Sequence, residues 1–222
     1  MALESSLLKT VPGLVHGFGT RDEPVPSFIQ PEWDSNRPQW KQVHGIGIAR
    51  VDHSKQQCGE VDALWTPTPG QFVGVQTADC VPILLAAIDG SAAAAVHAGW
   101  RGTFARILPE LARQLTAEGH NLKNWIAAIG PCIGSCCYEV SEELSESFRQ
   151  KFDPLKIETR TEKPRHLNLA QINAAELKIM GISTIDILSF CTFCNTIAPM
   201  NSYRRDGSGG RQWSVIKLQT NG

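Results

Sequence analysis

Two apolar runs joined by a tight turn limit the fold of this chain more than any other feature of its sequence. Residues 83–88 (Ile-Leu-Leu-Ala-Ala-Ile) and residues 92–97 flank Asp89-Gly90, a dipeptide typical of two-residue hairpin turns. They predict an antiparallel hairpin. Residues 61–65 and 72–75 form further apolar runs just upstream. We therefore predict that residues 61–97 form the core of a mixed or antiparallel sheet.

Further elements follow from periodicity and from the residues that begin and end helices. Helices are predicted at residues 104–115, ending at Gly119, from Ser141 to residue 152, and from Asn168 to Gly181. Additional strands are predicted at residues 14–18, 42–51, 125–129, 185–188 and 213–218, and an irregular, proline-rich loop at residues 22–40. The predicted class is α/β, with flanking helices packed on a mixed sheet in a single domain, residues 1–222.

Composition excludes several classes of partner. The net charge of −1 leaves no basic surface for nucleic acid or for an anionic membrane. The most apolar stretch, residues 81–96, is interrupted by Asp89-Gly90-Ser91 and is too short and polar to span a bilayer. The first residues lack the charged-then-apolar pattern of a secretion signal. Seven cysteines, an odd number, argue against a complete disulfide framework. We expect a cytoplasmic protein.

Three residues from separate segments indicate one metal site. His44, Cys80 and His97 each end an apolar, strand-like run beside a glycine or a turn. Cys80 and His97 also stand at the two ends of the predicted hairpin, which brings them together. Two imidazoles and one thiolate suit Zn²⁺, and three protein ligands leave a fourth position open, as in catalytic sites. The alternative is three satisfied core residues without a ligand.

Two glycine-containing segments are candidates for anion binding. Gly99-Trp100-Arg101-Gly102 joins a predicted strand to a helix, and backbone N–H groups at such a junction favour phosphate. Arg204 and Arg205, between Tyr203 and Asp206, have the chemistry to bind a phosphate or carboxylate through paired hydrogen bonds. Each segment is equally compatible with an ordinary turn.

The remaining cysteines allow a separate metal site. Cys132, Cys136, Cys191 and Cys194 offer the four thiolates of a structural zinc site. A redox pair at Cys191 and Cys194 is the alternative, although the surrounding sequence is not thioredoxin-like. The zinc-deaminase signature is absent, because neither His44 nor His97 is followed two residues later by Glu.

The ordered motifs of the chain resemble those of the YfiH/YlmD family, variously called multicopper polyphenol oxidase (laccase-like), purine nucleoside phosphorylase and peptidoglycan editing factor. The resemblance covers residues 14–218. The motifs that carry it are Gln42-Val43-His44-Gly45, Asp62-Ala63-Leu64, Thr77-Ala78-Asp79-Cys80-Val81-Pro82, His97-Ala98-Gly99-Trp100-Arg101-Gly102, Gly130-Pro131-Cys132-Ile133-Gly134, Tyr138-Glu139-Val140, Cys191-Thr192 and Ser202-Tyr203-Arg204-Arg205-Asp206-Gly207.

The resemblance implies an α/β sandwich with a single Zn²⁺ ion held by His44, Cys80 and His97. It implies purine nucleoside chemistry, either phosphorolysis of adenosine, inosine or methylthioadenosine, or deamination of adenosine. It also places Arg21 near the site. The expected partners are a purine nucleoside and phosphate. On this hypothesis phosphate attacks the ribose C1′ while Arg21, Arg101 or the Arg204-Arg205 pair balances its charge.

Three other functions remain open on the sequence. The first is a hydrolase with Cys80 as nucleophile and His97 as base, acting on amides in peptidoglycan precursors. The second, a multicopper oxidase, conflicts with six histidines that include no His-x-His pair. The third is a zinc-stabilised binding module without catalysis. The sequence does not indicate an oligomeric state.

Overall fold

The computed structural model of the chain describes residues 1–207 and 209–219. Its strands are β1 (Leu14–Phe18), β2 (Gln39–Lys41), β3 (Ile48–Arg50), β4 (Gln57–Glu60), β5 (Ala63–Thr66), β6 (Phe72–Thr77), β7 (Val81–Ala87), β8 (Ala93–Ala98), β9 (Trp125–Ile129), β10 (Thr184–Ile187) and β11 (Gln212–Leu218). Its α-helices are α1 (Gln30–Asn36), α2 (Trp100–Phe104), α3 (Ile107–Ala117), α4 (Glu142–Phe152), α5 (Leu169–Ile179) and α6 (Tyr203–Asp206). No described helix is long and apolar enough to cross a membrane.

The predicted hairpin forms the centre of a six-stranded mixed sheet. The strand order is β10-β9-β7-β8-β5-β3, with parallel pairs at both edges and antiparallel pairs between them. A second, antiparallel sheet has the order β1-β11-β6, and β2 pairs with β4 in a short ribbon. The predicted α/β class with a mixed sheet is confirmed.

Strand alternation divides the core into two layers. Ile83 and Leu85 on β7 face a cluster that includes Leu111 on α3 and Phe148 on α4. Leu84, on the opposite face of the same strand, packs in a cluster with residues of the smaller sheet. Because β7 is covered on both sides, its continuous apolar run is explained by burial of both faces. The sheet with its covering layers gives a rigid frame for whatever lies at its strand ends.

The predicted hairpin and helix caps are confirmed. β7 and β8 pair antiparallel, with Pro82 opposite His97. The side chain of Ser141 accepts a hydrogen bond from the backbone N–H of Leu144, and that of Asn168 accepts one from Gln171. Both side chains satisfy amides that a helix start leaves without a partner.

The prediction of an irregular loop at residues 22–40 is wrong for part of that segment. Residues 30–36 form α1, which has Pro31 in its first turn and buries Trp33. The Trp33 ring lies 5.0 Å from the Trp213 ring and 5.8 Å from the Phe72 ring. A seven-residue helix with one buried side chain shows no repeating spacing of apolar residues. Contacts between aromatic side chains from distant segments therefore determine this helix, rather than a local sequence pattern.

The strand predicted at residues 42–51 is confined to β3. Residues 43–45 instead turn around the carboxylate of Asp62, which accepts their backbone N–H groups. His44 has a φ of 60° there, in the left-handed region. Amides bound to a carboxylate are not available for a strand ladder, which explains the shorter strand.

The prediction that residues 61–97 form the core of one sheet is wrong for β6. β6 pairs with β11 in the smaller sheet. The segment between β5 and β6 contains Pro67, Pro69 and Gly70, whose φ is 83°. These residues redirect the chain from one layer to the other. The helix predicted at residues 104–115 is likewise divided at Arg106, which has a φ of 67° and ends the preceding short helix α2 before α3 begins.

Buried His16 makes the stability of the fold depend on pH. Its ring is 2% exposed, and its Nε2 accepts the backbone N–H of Ser5 at 2.9 Å. Burial lowers the pKa of His16 from 6.5 to about 4. The unfolded chain therefore binds more protons between these values, and stability falls as the pH drops through that window.

We expect wild type to lose about 2.5 kcal/mol more stability than His16→Gln between pH 7 and pH 4.5. Glutamine keeps an acceptor for the Ser5 amide and does not titrate. Urea unfolding of both proteins at the two pH values measures the difference. Parallel pH profiles would show that His16 titrates normally in the folded state.

Candidate metal centre

The structure brings the three predicted metal ligands together at one end of the large sheet. His44 lies in the turn before β3, Cys80 directly precedes β7, and His97 is on β8. One ligand atom from each residue lies within 4.8 Å of the other two. The His44 and His97 rings are 4.8 Å apart and nearly perpendicular. The hairpin register accounts for the meeting of Cys80 and His97, and the turn around Asp62 brings in His44.

Asp62 connects both histidines to the sheet. Its fully buried carboxylate lies 2.7 Å from His97 Nδ1. It also accepts the backbone N–H groups of His44 at 2.9 Å and Gly45 at 2.6 Å. With Nδ1 bound to Asp62, Nε2 is the ring nitrogen of His97 that remains for a metal or for Cys80. A carboxylate behind a histidine fixes its ring orientation and raises its basicity as a ligand.

Sequence reasoning assigned no function to Asp62, although a signal was present. Asp62 stands between Val61 and Ala63 in an apolar run that leads into β5. A carboxylate buried in such a run needs several hydrogen-bond donors. Which donors it binds follows only from the three-dimensional arrangement.

The groups around Cys80 favour the thiolate form of its side chain. Burial raises the pKa of the Cys80 thiol, but hydrogen bonds and charge from His44 and His97 outweigh it and lower the pKa to about 6. Burial lowers the pKa of His97, but Asp62 and Cys80 outweigh it in turn and raise that pKa. The resulting thiolate is the form in which cysteine binds metals.

The three residues line a cavity of about 730 Å³. Four cationic side chains border it, from Arg37, Lys41, Arg204 and Arg211. Aromatic side chains also line it, from Trp40, Tyr138, Tyr203 and Trp213. The size suits a small organic ligand, and the lining offers both stacking surfaces and positive charge.

The predicted substrate-binding residues are not all near this cavity. Arg204 lines it, with its guanidinium over the Tyr138 ring at 5.3 Å. The guanidinium of Arg205 instead donates to the carbonyl oxygens of Thr192 and Phe193, both at 2.9 Å, so it holds a loop together.

Arg21 and Arg101 also have protein partners. Arg21, predicted to lie near the site, forms an ion pair with Asp206 and is not among the residues that line the cavity. The guanidinium of Arg101 lies over the Trp100 ring at 4.5 Å, and Arg101 is not a lining residue either.

Asp79 lines the cavity beside its neighbour Cys80, although adjacent residues of a strand would point to opposite faces. Its φ is 89°, and the strand β7 begins only at Val81, so alternation does not apply. One carboxylate oxygen accepts the Thr192 hydroxyl at 2.6 Å and the other accepts the backbone N–H of Arg204 at 2.7 Å. Asp79 thereby joins the Cys80 segment to two later loops.

Gly99 packs against Cys80 and His44, two of the three ligand candidates. A Cβ atom placed there would lie 3.0 Å from Cys80 Sγ and 3.2 Å from His44 Cδ2. Its backbone is extended, with a φ of −69°, so contact rather than backbone strain requires glycine. The proximity of Gly99 to the site is thus steric, and α2, which it precedes, has only five residues.

We expect Gly99→Ala to weaken zinc binding about tenfold, because the new methyl group displaces Cys80 and His44 from their common position. Competition with a chromogenic chelator measures the affinity. Gly45→Ala is a matched control, since its Cβ would meet the nearest atoms at 3.6 Å, an ordinary contact. Equal affinities in both variants would contradict the steric explanation.

Comparisons with known proteins found a matching family model and similar solved structures. The family model described as multi-copper polyphenol oxidoreductase laccase matches residues 31–219. The crystal structure of YlmD from Geobacillus stearothermophilus is similar with a TM-score of 0.82 and 27% identity, covering 95% of this chain and 94% of that one.

Two relatives at the sequence level carry enzyme names. A protein of Deinococcus radiodurans named purine nucleoside phosphorylase is 39% identical over 181 residues, which is 80% of this chain and 68% of that protein. Adenosine deaminase RL5, from an unknown prokaryotic organism, is 30% identical over 171 residues, 75% of this chain and 65% of that protein.

Proposed function

The chain belongs to the multi-copper polyphenol oxidoreductase laccase family, as its motifs predicted, and we propose that it is a zinc-dependent purine nucleoside enzyme. The proposed reactions are phosphorolysis of adenosine, inosine or methylthioadenosine, and deamination of adenosine. The names of the Deinococcus and RL5 relatives support this choice of substrate.

The observation that carries the proposal is a three-donor cluster that opens into a cavity. The ligand atoms of His44, Cys80 and His97 lie within 4.8 Å of one another, and all three residues line the 730 Å³ space. The donor set, two imidazoles and one thiolate, fits zinc, and three ligands leave a position for substrate or water. A bound Zn²⁺ ion would supply Lewis-acid chemistry there.

The side chains of the cavity suit the two halves of a phosphorolysis reaction. The rings of Trp40, Trp213 and Tyr203 offer stacking surfaces for a purine, and Arg204 and Arg37 offer charge for phosphate. A phosphate oxygen bonds to the ribose C1′ as the bond from C1′ to N9 breaks, and the departing purine takes up a proton. Burial raises the pKa of Tyr138, which lines the cavity, to about 12, so its hydroxyl keeps its proton at neutral pH.

The family description mentions several coppers, and the donor count argues against that number here. Among the described residues, two groups have the spacing to hold a metal, and only one of them contains histidines. Two histidines and one cysteine provide for one ion, not for several. The same donors also suit a single copper ion, so the proposal of zinc requires direct elemental analysis.

The test is to incubate the purified, zinc-loaded enzyme with adenosine, inosine and methylthioadenosine, each with and without phosphate, and to separate the products by chromatography. Phosphate-dependent release of adenine or hypoxanthine supports phosphorolysis, and phosphate-independent inosine supports deamination. Removal of the metal should stop both, and zinc should restore them. Product formation that is unaffected by metal removal would defeat the proposal.

One observation favours a second candidate, a cysteine hydrolase that acts on amides in peptidoglycan precursors. Asp62, His97 and Cys80 form a hydrogen-bonded series with the order of an acid–base–nucleophile triad. In a hydrolase of this kind, iodoacetamide would alkylate Cys80 rapidly, and the protein would contain no stoichiometric metal. Iodoacetamide labelling together with elemental analysis of the same sample distinguishes the two functions.

A further inference from the structure

Four cysteines meet in a second cluster that the proposed reaction does not use. Cys136 and Cys137 lie in the turn that follows residues 130–134, and Cys191 and Cys194 lie in the loop after β10. One sulfur from each lies within 4.8 Å of the other three. None of the four is among the residues that line the 730 Å³ cavity.

The cluster differs by one member from the set predicted by sequence. Cys132 was expected as a ligand, but its thiol is buried in the core next to the helices, and Cys137 takes the fourth position. The backbone of Cys132 still contributes, since it forms a bridge with Cys191 and its carbonyl oxygen accepts the N–H of Thr192 at 3.0 Å. Spacing alone does not distinguish adjacent cysteines, because the turn decides which thiol points inward.

Backbone amides are directed at one of these sulfurs. The N–H of Gly134 donates to Cys191 Sγ at 3.3 Å, and the amides of Phe193 and Cys194 also donate to it. A C-x2-C loop folded so that its own amides face its first sulfur stabilises a thiolate rather than a neutral thiol. Spacing of this kind is common in structural zinc sites.

The positions of the four sulfurs are more consistent with a shared metal ion than with disulfide bonds. Cys136 Sγ and Cys194 Sγ are 3.7 Å apart, in contact but well beyond the bond length of about 2.05 Å. All four thiols approach one another mutually, whereas disulfides would require them to separate into pairs. Four thiolates that lie within 4.8 Å of one another can supply the tetrahedral sulfur ligands that zinc or iron takes.

We propose that Cys136, Cys137, Cys191 and Cys194 bind one structural Zn²⁺ ion. Binding would leave the ion and its four thiolates with a net charge of −2. The three amides at Cys191 and the guanidinium of Arg205, which holds the carbonyls of Thr192 and Phe193, offset that charge. Four protein ligands close the coordination sphere, so this ion would not take part in catalysis.

The position of the cluster gives it a specific structural consequence. It joins the turn at Cys136 to the loop that contains Thr192, and the Thr192 hydroxyl holds the carboxylate of Asp79 at 2.6 Å. Asp79 immediately precedes Cys80. The ion would therefore fix one wall of the cavity without touching a ligand inside it. This inference stands independently of the nucleoside reaction.

The test compares zinc content per chain in wild type, Cys194→Ser, Cys80→Ser and Cys58→Ser by elemental analysis and native mass spectrometry. Cys58 belongs to neither cluster, so Cys58→Ser is the matched control and should keep the wild-type content. We expect Cys194→Ser to lose one equivalent and about 5 °C or more in Tm. Cys80→Ser should retain the equivalent of zinc at the four-cysteine cluster, which is the one that Cys194→Ser loses.

A measurement on wild type keeps the proposal falsifiable if Cys194→Ser does not fold. Cys136 and Cys194 are exposed, yet bound zinc should protect them from alkylation until a chelator is added, with no reductant needed. The proposal would be overturned if the protein mass were lower than that of the fully reduced chain by the hydrogens lost in forming one or two disulfides. Iron in place of zinc would also overturn it. So would free alkylation of both thiols, or an unchanged zinc content in folded Cys194→Ser. If zinc is retained in Cys80→Ser while nucleoside turnover is absent even in wild type, only the proposed function fails.

Discussion

Cys80→Ser should lose the ion at the cavity and at least about 10³-fold in kcat/KM for nucleoside turnover. The thiolate is the anionic donor among the three ligand candidates, and the serine hydroxyl stays neutral at pH 7. Lewis-acid stabilisation of a transition state contributes several kcal/mol, which corresponds to a rate factor of this size. Steady-state kinetics and zinc analysis of the same preparation measure both effects.

The matched control for this variant is Cys58→Ser, which makes the same exchange at a half-buried cysteine on β4. It should keep wild-type turnover and both equivalents of zinc. Circular dichroism establishes whether Cys80→Ser remains folded. If folded Cys80→Ser retained turnover, the ion would have no part in the reaction.

Asp62→Asn should weaken zinc binding about 10- to 100-fold and destabilise the metal-free protein by about 3 kcal/mol. Asparagine has nearly the same shape, but its amide N–H₂ group is a donor. In one orientation this group would face His97 Nδ1 and the backbone amide of His44, and in the other it would face the backbone amides of Val43 and Gly45, which are donors as well. One buried polar group must then go without its partner.

Two measurements separate these effects. Chelator competition gives the zinc affinity, and urea unfolding of the metal-free protein gives the stability. Asp52→Asn is the control, because Asp52 is an exposed carboxylate paired with Arg50, and its loss should cost under about 1 kcal/mol. Wild-type zinc affinity in Asp62→Asn would mean that the histidines hold their positions without the carboxylate.

The sequence was sufficient where a local pattern coincides with burial. The hairpin of β7 and β8 could be predicted because a turn dipeptide separates two runs that are buried on both faces. Its register then placed Cys80 and His97 together. The helix caps at Ser141 and Asn168 could also be predicted from the sequence, since a capping side chain binds an amide only three residues away.

The sequence was insufficient where contacts between distant segments decide the structure. Helix α1 depends on the packing of Trp33 against Trp213 and Phe72, residues that the chain brings together only after folding. The turn at His44 depends on Asp62 in the same way. The choice of Cys137 over Cys132 depends on the direction of a turn, which spacing does not encode.

The metal-ligand candidates and other residues that line the cavity lie on different parts of the fold. Cys80 and His97 are anchored in the hairpin of the large sheet, whereas Arg37, Tyr203 and Arg211 come from segments outside it. Substitutions at Arg37, Tyr203 or Arg211 can therefore change the shape and charge of the cavity while Cys80 and His97 stay in place. Because the two sets of residues lie on different elements, each is free to change during evolution without the other.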